Sequence, residues 1–345
     1  MTIFEQLLQD GSELGFQFCV IRHGRELVHF AGGRMGLCGP EVTGESLFPV
    51  FSVTKGLAAM LVHQCIDRGW LKVDEPVAKW WLEFAVGGKE SVTFREVLHH
   101  LAGIPNLPPG ITAREVLDWE QMSRVVAALR PVHRGRFQYH AWTFGWPVRI
   151  VLERATGKPF QALLQELLVE PLGLDGALYI GCPAEVGACA SKIVEPGLGE
   201  ADRTRPFEEV LSMEIAGRPL GYFFNYPPVL GVANPAGSGV ANARAIATCY
   251  AALLPGGGLV SEERWNAILR WEICTNLEGK HERCSLGFRW RQMEIGGRVY
   301  DAVGHSGYGG SIGLAIPGLG VAVGYTRNAF CAQPSLSQLL NAVLG

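Results

Sequence analysis

Apolar and polar positions along this chain change rhythm several times, and the changes mark its elements. After a short leading helix, the strand-like runs Phe16–Ile21 and Glu26–Ala31 flank Arg22-His23-Gly24-Arg25, which predicts a β-hairpin. Gly32, Gly33 and Gly36 then loosen the chain ahead of an extended apolar approach, Leu47-Phe48-Pro49-Val50-Phe51. That approach runs into a helix-compatible stretch with Leu57, Ala58, Met60, Leu61, Cys65 and Ile66 on its apolar positions.

From about Cys65 to Leu230 the pattern is mainly helical. Asp74-Glu75-Pro76 carries a helix-start signal, and Thr93-x-x-Glu96 is a capping box before Val97 and Leu98, with Gly103-Ile104-Pro105 as the stop. Ala113–Leu129, Thr143–Ala155 and Phe160–Leu168 read as further helices, while the Gly/Pro-rich region Gly181–Gly221 carries no clear period. Ala241–Leu254 is an amphipathic helix closed by Pro255-Gly256-Gly257-Gly258. Beyond it, Ser285–Gln292, Arg298–Val303, Ser311–Ile316 and Val321–Tyr325 are short runs punctuated by glycines, read as successive antiparallel strands, and Ser335–Leu344 is a closing helix.

Strands at both ends with helices between predict an α+β fold: one antiparallel sheet built from both termini and flanked by helices, with a mainly helical inserted lobe. The expected lobes are residues 1–64 with 235–345 for the sheet and 65–234 for the helical part. A length of 345 residues suits one catalytic domain, 1–345, made of two such joined lobes. With 48% hydrophobic and only 18% charged residues, the chain has a large core to bury.

A net charge of −3 gives no reason to expect nucleic acid or an anionic membrane as partner. The first residues, MTIFEQLLQDGSELG, lack the basic start and apolar run of a signal peptide, and the long uncharged stretches are broken by Gly, Pro, Ser and Asn. The nine cysteines show no paired spacing. These features predict a cytoplasmic protein with free thiols. Cys274, His281 and Cys284 are near one another in sequence but have no fourth ligand at zinc spacing, so no metal is expected.

Candidate chemistry starts at Ser52-Val53-Thr54-Lys55. Residues three apart on a helix share a face, with Cβ atoms roughly 5–6 Å apart. A serine there needs a base, and a lysine serves as one when burial lowers its pKa. The alternative is a serine helix cap beside an exposed lysine in the first turn, where the helix dipole disfavours a cation. Tyr139, in RFQYHAWTFGW, is either a proton shuttle for that pair or a core aromatic, and His140 starts a helix or joins it. Gly304-His305-Ser306-Gly307-Tyr308-Gly309-Gly310-Ser311 suits either an oxyanion hole and substrate-binding strand edge or a plain glycine-rich hairpin. Trp80, Trp81, Trp142 and Trp146 read as core or cleft aromatics, and His99 and His100 as the end of a helix.

The blocks Ser52-x-x-Lys55, Tyr139 and His305-Ser306-Gly307 resemble, in order and rough spacing, the motifs of the serine β-lactamase and penicillin-binding-protein superfamily. The likeness is above all to class C β-lactamases and the β-lactamase-like (family VIII) carboxylesterases. VLHHLAGIP at 97–105, NPAGSGVANARAIATCYAAL at 234–253 and SLGFRW at 285–290 add to it, so that it spans residues 14 to 330. The resemblance implies a β-lactamase/transpeptidase-like fold and an acyl-enzyme on Ser52, with Lys55 as base and Tyr139 as proton shuttle. It further implies an oxyanion hole from the backbone N–H groups of Ser52 and Tyr308, and an acyl-binding strand at His305-Ser306-Gly307. It implies no cofactor, and a small-molecule ester or amide as substrate.

Two departures from the family pattern bear on that substrate. Where the family has Tyr-x-Asn this chain has Tyr139-His140-Ala141, and His305 replaces the lysine of Lys-Thr-Gly. A histidine of ordinary pKa is only partly protonated at neutral pH. Both changes favour an esterase or acyltransferase on a neutral small ester over an amide-directed enzyme such as a D-amino-acid peptidase or weak β-lactamase. A catalytically silent scaffold is the remaining reading. Gly309-Gly310-Ser311-Ile312-Gly313 also fits the G-x-S-x-G elbow of α/β-hydrolases, but no Asp, Glu or His follows Ser311 to complete a triad.

Overall fold

The computed structural model describes residues 2–199, 205–330 and 336–345. Within them the strands are β1 (Gly15–Arg22), β2 (Arg25–Gly33), β3 (Phe48–Phe51), β4 (Leu178–Ile180), β5 (Gly239–Ala241), β6 (Glu272–Thr275), β7 (His281–Ser285), β8 (Phe288–Ile295), β9 (Arg298–Ser306), β10 (Ile312–Ile316) and β11 (Val321–Arg327). Eight of these form one antiparallel sheet in the order β2-β1-β11-β10-β9-β8-β7-β6. The two chain ends therefore meet at the β1–β11 ladder, where Phe16 faces Arg327 and Arg22 faces Val321. A second, three-stranded sheet joins β3, β5 and β4.

Both faces of the main sheet are covered, which is why β10 and β11 are buried along their whole length and read as apolar runs rather than alternating ones. On one face lie the helices Ile3–Gln9 and Leu336–Leu344, whose Phe4, Leu7, Leu339 and Leu340 pack with Phe16, Phe18 and Val323. On the other lie the helices Val53–Asp67 and Ala243–Leu253. Every residue from Val53 to Cys65 is buried, so the first of these is enclosed by protein all round. Backbone and side chain crowd together at Gly56, where a Cβ would stand 2.1 Å from Tyr250 Oη.

Several elements differ from their sequence expectation, each for a local reason. Ser285–Gln292 is two strands, because Leu286 (φ 42°) and Gly287 (φ 96°) turn the chain between β7 and β8. Ala113–Leu129 breaks at Asp118, which adopts extended backbone and caps the next helix by accepting the Gln121 N–H at 2.9 Å. Asp74-Glu75-Pro76 opens only a single 3-10 turn, Val77–Lys79. β4 is a strand inside the segment expected to be helical, held by pairing with β5. The capping box at Thr93 forms with both of its hydrogen bonds, to and from Glu96. Ser335 and residues 200–204 of Gly181–Gly221 lie outside the described residues.

One buried ion pair ties the chain's beginning to its end. Arg327 Nε donates to Glu13 Oε2 at 2.9 Å, both side chains are wholly buried, and Tyr325 Oη also donates to Glu13. Arg327 reaches on to the Gly309 carbonyl at 3.3 Å, so the pair props up the turn after β9. Removing one partner strands the other charge in the core. Glu13→Ala is expected to lower the unfolding free energy by about 3–5 kcal/mol in a urea titration, and a loss under about 1 kcal/mol would contradict a structural role for the pair.

Candidate active site

Ser52 stands where β3 ends and the Val53–Asp67 helix begins. It holds the N-cap position, yet its side chain makes no capping hydrogen bond, which leaves Oγ available for other partners. The residue before it, Phe51, has φ 48°, a left-handed conformation costly for a bulky side chain, on the order of 1–3 kcal/mol. Neighbouring contacts over-determine that geometry. Thr54 Oγ1 donates to the Phe51 carbonyl and accepts the Gly239 N–H at 2.9 Å, while the Phe51 ring packs against Phe224, Tyr308 and Phe330.

Lys55 is wholly buried. Its Nζ lies 3.1 Å from Ser52 Oγ, 2.9 Å from the Ala141 carbonyl and 2.6 Å from the Ala236 carbonyl. Burial alone drives its pKa well below the ordinary 10.5. A neutral amine has two N–H groups and one lone pair. The two carbonyls take the two N–H groups, and the lone pair is left facing the Ser52 hydroxyl. The arrangement can take a proton from Ser52 as its oxygen attacks an electrophile.

Tyr139 completes the group. Its hydroxyl stands close enough to Ser52 for that side chain to act against burial, which pushes the phenol pKa up to about 12, and its ring lies 4.9 Å from Lys55 Nζ. Histidines fix the segment that carries it. His100 Nδ1 accepts the His140 N–H at 3.2 Å, and the His100 carbonyl accepts the Gln138 N–H at 3.2 Å. His140 Nε2 accepts the Ile104 N–H at 3.0 Å, so Nδ1 carries the proton and donates to the Gln138 carbonyl at 2.6 Å. Burial lowers the His140 pKa to about 4, and the ring is a neutral brace behind the site.

The segment after β9 forms the opposite wall. Gly307 passes so close to β3 that a Cβ there would be 2.3 Å from the Val50 carbonyl oxygen, so only glycine fits. His305 is buried, its Nδ1 donates to the Ser306 carbonyl at 2.8 Å, and its pKa lies well below 6.5, chiefly from burial and then from Lys55. The partial protonation expected of it at neutral pH therefore gives way to a neutral ring. Tyr308 is 48% exposed, and its hydroxyl donates to Glu195 Oε1 at 2.6 Å.

Ser52, Tyr139, His305, Ser306, Gly307 and Tyr308 all line one cavity of about 260 Å³, with Lys55 directly beneath Ser52. Phe51, Trp142, Leu220 and Phe224 supply apolar wall, and Arg289 a cation. The elbow serine, Ser311, is buried at the start of β10, where its Oγ accepts the Arg327 N–H, and a strand follows it. Of the three residues considered for a metal, Cys274 and Cys284 are buried against Phe137 while His281 is exposed. Among the described residues no group of three His, Cys, Asp or Glu is placed to hold a metal ion, and no helix is long and apolar enough to cross a bilayer.

Three contributors escaped the sequence reading. Ala141 and Ala236 act through backbone carbonyls, which no side-chain motif reports, although Ala236 falls in a stretch noted for its family likeness and Ala141 stands where the family has asparagine. Arg289 sits in the SLGFRW stretch, and only the β8–β9 register, which sets it opposite Gly304, reveals that it reaches the cavity.

The family model described as Beta-lactamase matches residues 2–336. The chain is 34% identical over 296 residues, 81% of its length, to the esterase/beta-lactamase LipL of Mycobacterium tuberculosis, and the match spans 68% of that protein. Its structure superposes on a family VIII carboxylesterase with a TM-score of 0.85 at 28% identity, covering 99% of this chain and 94% of the other. A penicillin-binding protein homologue from Caulobacter crescentus gives a TM-score of 0.79 at 28% identity, covering 98% and 94%.

A depressed Lys55 pKa has a definite sign in a pH profile. With the neutral amine as base, lowering its pKa moves the rising limb of activity to lower pH, and a tyrosine raised to about 12 stays a phenol throughout. For an aryl ester, kcat/KM is expected to climb and level off well below pH 10.5, with no alkaline fall before the protein unfolds. A rate still rising tenfold per pH unit at pH 10 would show Lys55 to be an ordinary, solvated amine.

Proposed function

For this chain, which belongs to the β-lactamase family of serine hydrolases, we propose an esterase or acyltransferase that works through an acyl-enzyme on Ser52. The observation that carries the reading is the burial of Lys55 against two carbonyls, with its third position turned to Ser52 Oγ at 3.1 Å.

In the first half-reaction Ser52 Oγ bonds to the ester carbonyl carbon while its proton passes to Lys55 Nζ. The carbonyl oxygen becomes an oxyanion, held by the backbone N–H groups of Ser52 and Tyr308. As the tetrahedral centre collapses, the bond to the alcohol oxygen breaks and Tyr139 protonates that oxygen, regaining a proton from Lys55. Water, or a second alcohol or amine, then attacks the acyl-enzyme, its proton passes back through Tyr139 and Lys55 to Ser52, and the acyl product leaves. No metal or organic cofactor enters any step.

Cavity size and polarity support a small, neutral ester. At about 260 Å³ the space is below the roughly 300–1,000 Å³ of pockets that enclose drug-sized ligands. Aromatic and aliphatic side chains line much of it, and neutral His305 stands where a family lysine would bring a fixed charge. One observation favours a second reading. Arg289 lines the same cavity with a guanidinium that also pairs with Glu282, and a cation there suits an amide substrate bearing a carboxylate, as a D-amino-acid peptidase or weak β-lactamase would take. The described cysteines are free thiols, which supports a reducing, cytoplasmic setting.

Wild-type protein is expected to hydrolyse a short-chain aryl ester far faster than a chromogenic cephalosporin. Ser52→Ala and Lys55→Ala should each lower kcat by at least about 1,000-fold while remaining folded, and Tyr139→Phe by about 100-fold. Full activity in Ser52→Ala would sink the mechanism. A cephalosporin rate above the ester rate, lost on Arg289→Ala, would move the substrate assignment to the second reading.

A further inference from the structure

Glu195 lies outside every motif considered above, in the connection that follows the Ala184–Cys189 helix. Its segment is tied to the end of β11: the Val194 N–H bonds the Asn328 carbonyl at 2.8 Å and the Val194 carbonyl accepts the Phe330 N–H at 3.0 Å. The carboxylate is 6% exposed and accepts two hydrogen bonds, one from each of two cavity walls. Tyr308 Oη donates to Oε1 at 2.6 Å, and the Gly221 N–H donates to Oε2 at 2.8 Å. Both donors are neutral.

Each donor leads to the cavity. Gly221 opens the Gly221–Phe224 helix, and Leu220 and Phe224 are wall residues. The approach at Gly221 is close, since a Cβ there would lie 2.7 Å from Leu198 Cδ1 and 3.3 Å from Glu195 Oε2. On the other side, the Tyr308 ring meets Phe51 at 5.8 Å and Phe330 at 5.2 Å, both edge to face. Phe51 immediately precedes Ser52. Two glycines in positive φ, Gly309 at 77° and Gly310 at 104°, follow Tyr308. The base of the turn is closed by the Gly307 N–H on the Ser311 carbonyl at 2.7 Å and by Arg327 on the Gly309 carbonyl at 3.3 Å, while the half-exposed Tyr308 side chain is oriented by its own contacts.

We infer that Glu195 is a positioning residue for the candidate site: its carboxylate clasps the Tyr308 turn to the Leu220–Phe224 wall and so aims the Tyr308 N–H at the developing oxyanion. The inference rests on the serine-hydrolase mechanism proposed above. An oxyanion donor acts only when it is held in place before the charge develops, and loss of one such donor costs about 100–1,000-fold in kcat. A carboxylate is the side chain this position requires, because it accepts on both oxygens. Glutamine offers one accepting oxygen and one NH2 group, which would face either the Tyr308 O–H or the Gly221 N–H donor to donor.

The test is kcat and KM on an acetyl aryl ester for wild type, Glu195→Gln, Tyr308→Phe and the double variant. Rates are normalised to the sites titrated to completion by a fluorophosphonate. Each single variant is expected to lose about 10–100-fold in kcat with KM within about threefold, a misaimed donor being weaker than a good one but stronger than none. The double variant should lose little more than either single, since both remove one clasp. A residue that merely stabilises the fold would lower Tm and the titrated fraction while the normalised kcat stayed at the wild-type value. Wild-type normalised kcat in Tyr308→Phe, a change at a half-exposed side chain that does not threaten folding, would overturn the inference whatever Glu195→Gln does. Additive losses in the double variant would overturn it as well. Absence of a fluorophosphonate adduct on Ser52 in the wild type would instead overturn the underlying mechanism.

Discussion

Burying an ammonium group costs several kcal/mol after relaxation, and among the described residues no carboxylate pairs with the Lys55 amine to offset that cost. Losing the proton is the way out. A neutral amine needs only acceptors for two N–H groups and a donor for its lone pair, and the Ala141 carbonyl, the Ala236 carbonyl and the Ser52 hydroxyl are those three partners. The same desolvation that would destabilise a charged lysine therefore equips it to accept a proton. The partners come from far apart in sequence, 86 residues away for Ala141 and 181 for Ala236, so the base exists only once the helical segments and the sheet have closed around it.

Much of the surrounding architecture follows from holding that geometry. The helix behind Lys55 is buried on every side, which keeps water from the amine. Thr54, one residue earlier, locks the left-handed Phe51 to β5 and sets where Ser52 Oγ emerges. His100 Nδ1 and both ring nitrogens of His140, with burial holding both rings below the ordinary histidine pKa, bond backbone groups and so fix the Tyr139 segment. At the opposite wall, Arg327 and Glu13 support the Gly309 turn from within the core. These buried polar groups are braces, and each ends near the cavity.

How far sequence alone could go depended on distance along the chain. Ser52 and Lys55 are three residues apart on one helix, so their proximity is a local fact. The strand character of β10 and β11 was equally legible, because a sheet covered on both faces writes continuous apolar runs, and β9 showed as a short run closed by Gly304. Tyr139 and the His305–Tyr308 segment were legible only through their resemblance to a family, since nothing in their own neighbourhood says that they meet Ser52. The neutral state of His305 was hidden, because burial depends on what Lys55, Arg289 and Arg291 bring to the same space. Arg289 was hidden by register: the turn at Leu286-Gly287 splits an expected single strand and decides which residues of β8 reach the cavity. Glu195 falls in the Gly/Pro-rich region, where no period links a residue to its partners.

The polarity of the site narrows what the chemistry acts on. The proposed acylation draws on a serine and a buried lysine, while the walls put a neutral imidazole where the family lysine would stand and place Arg289, paired with Glu282, one strand away. The central claim is that Ser52 is acylated because Lys55 is a buried, neutral base. Rapid acid quench during turnover of a slowly deacylating ester, followed by peptide mapping, tests it most directly. An acyl mass on the peptide containing Ser52 in the wild type, absent from Lys55→Ala, is the predicted result. Acylation at another residue, or equal labelling of Ser52 in Lys55→Ala, would contradict it.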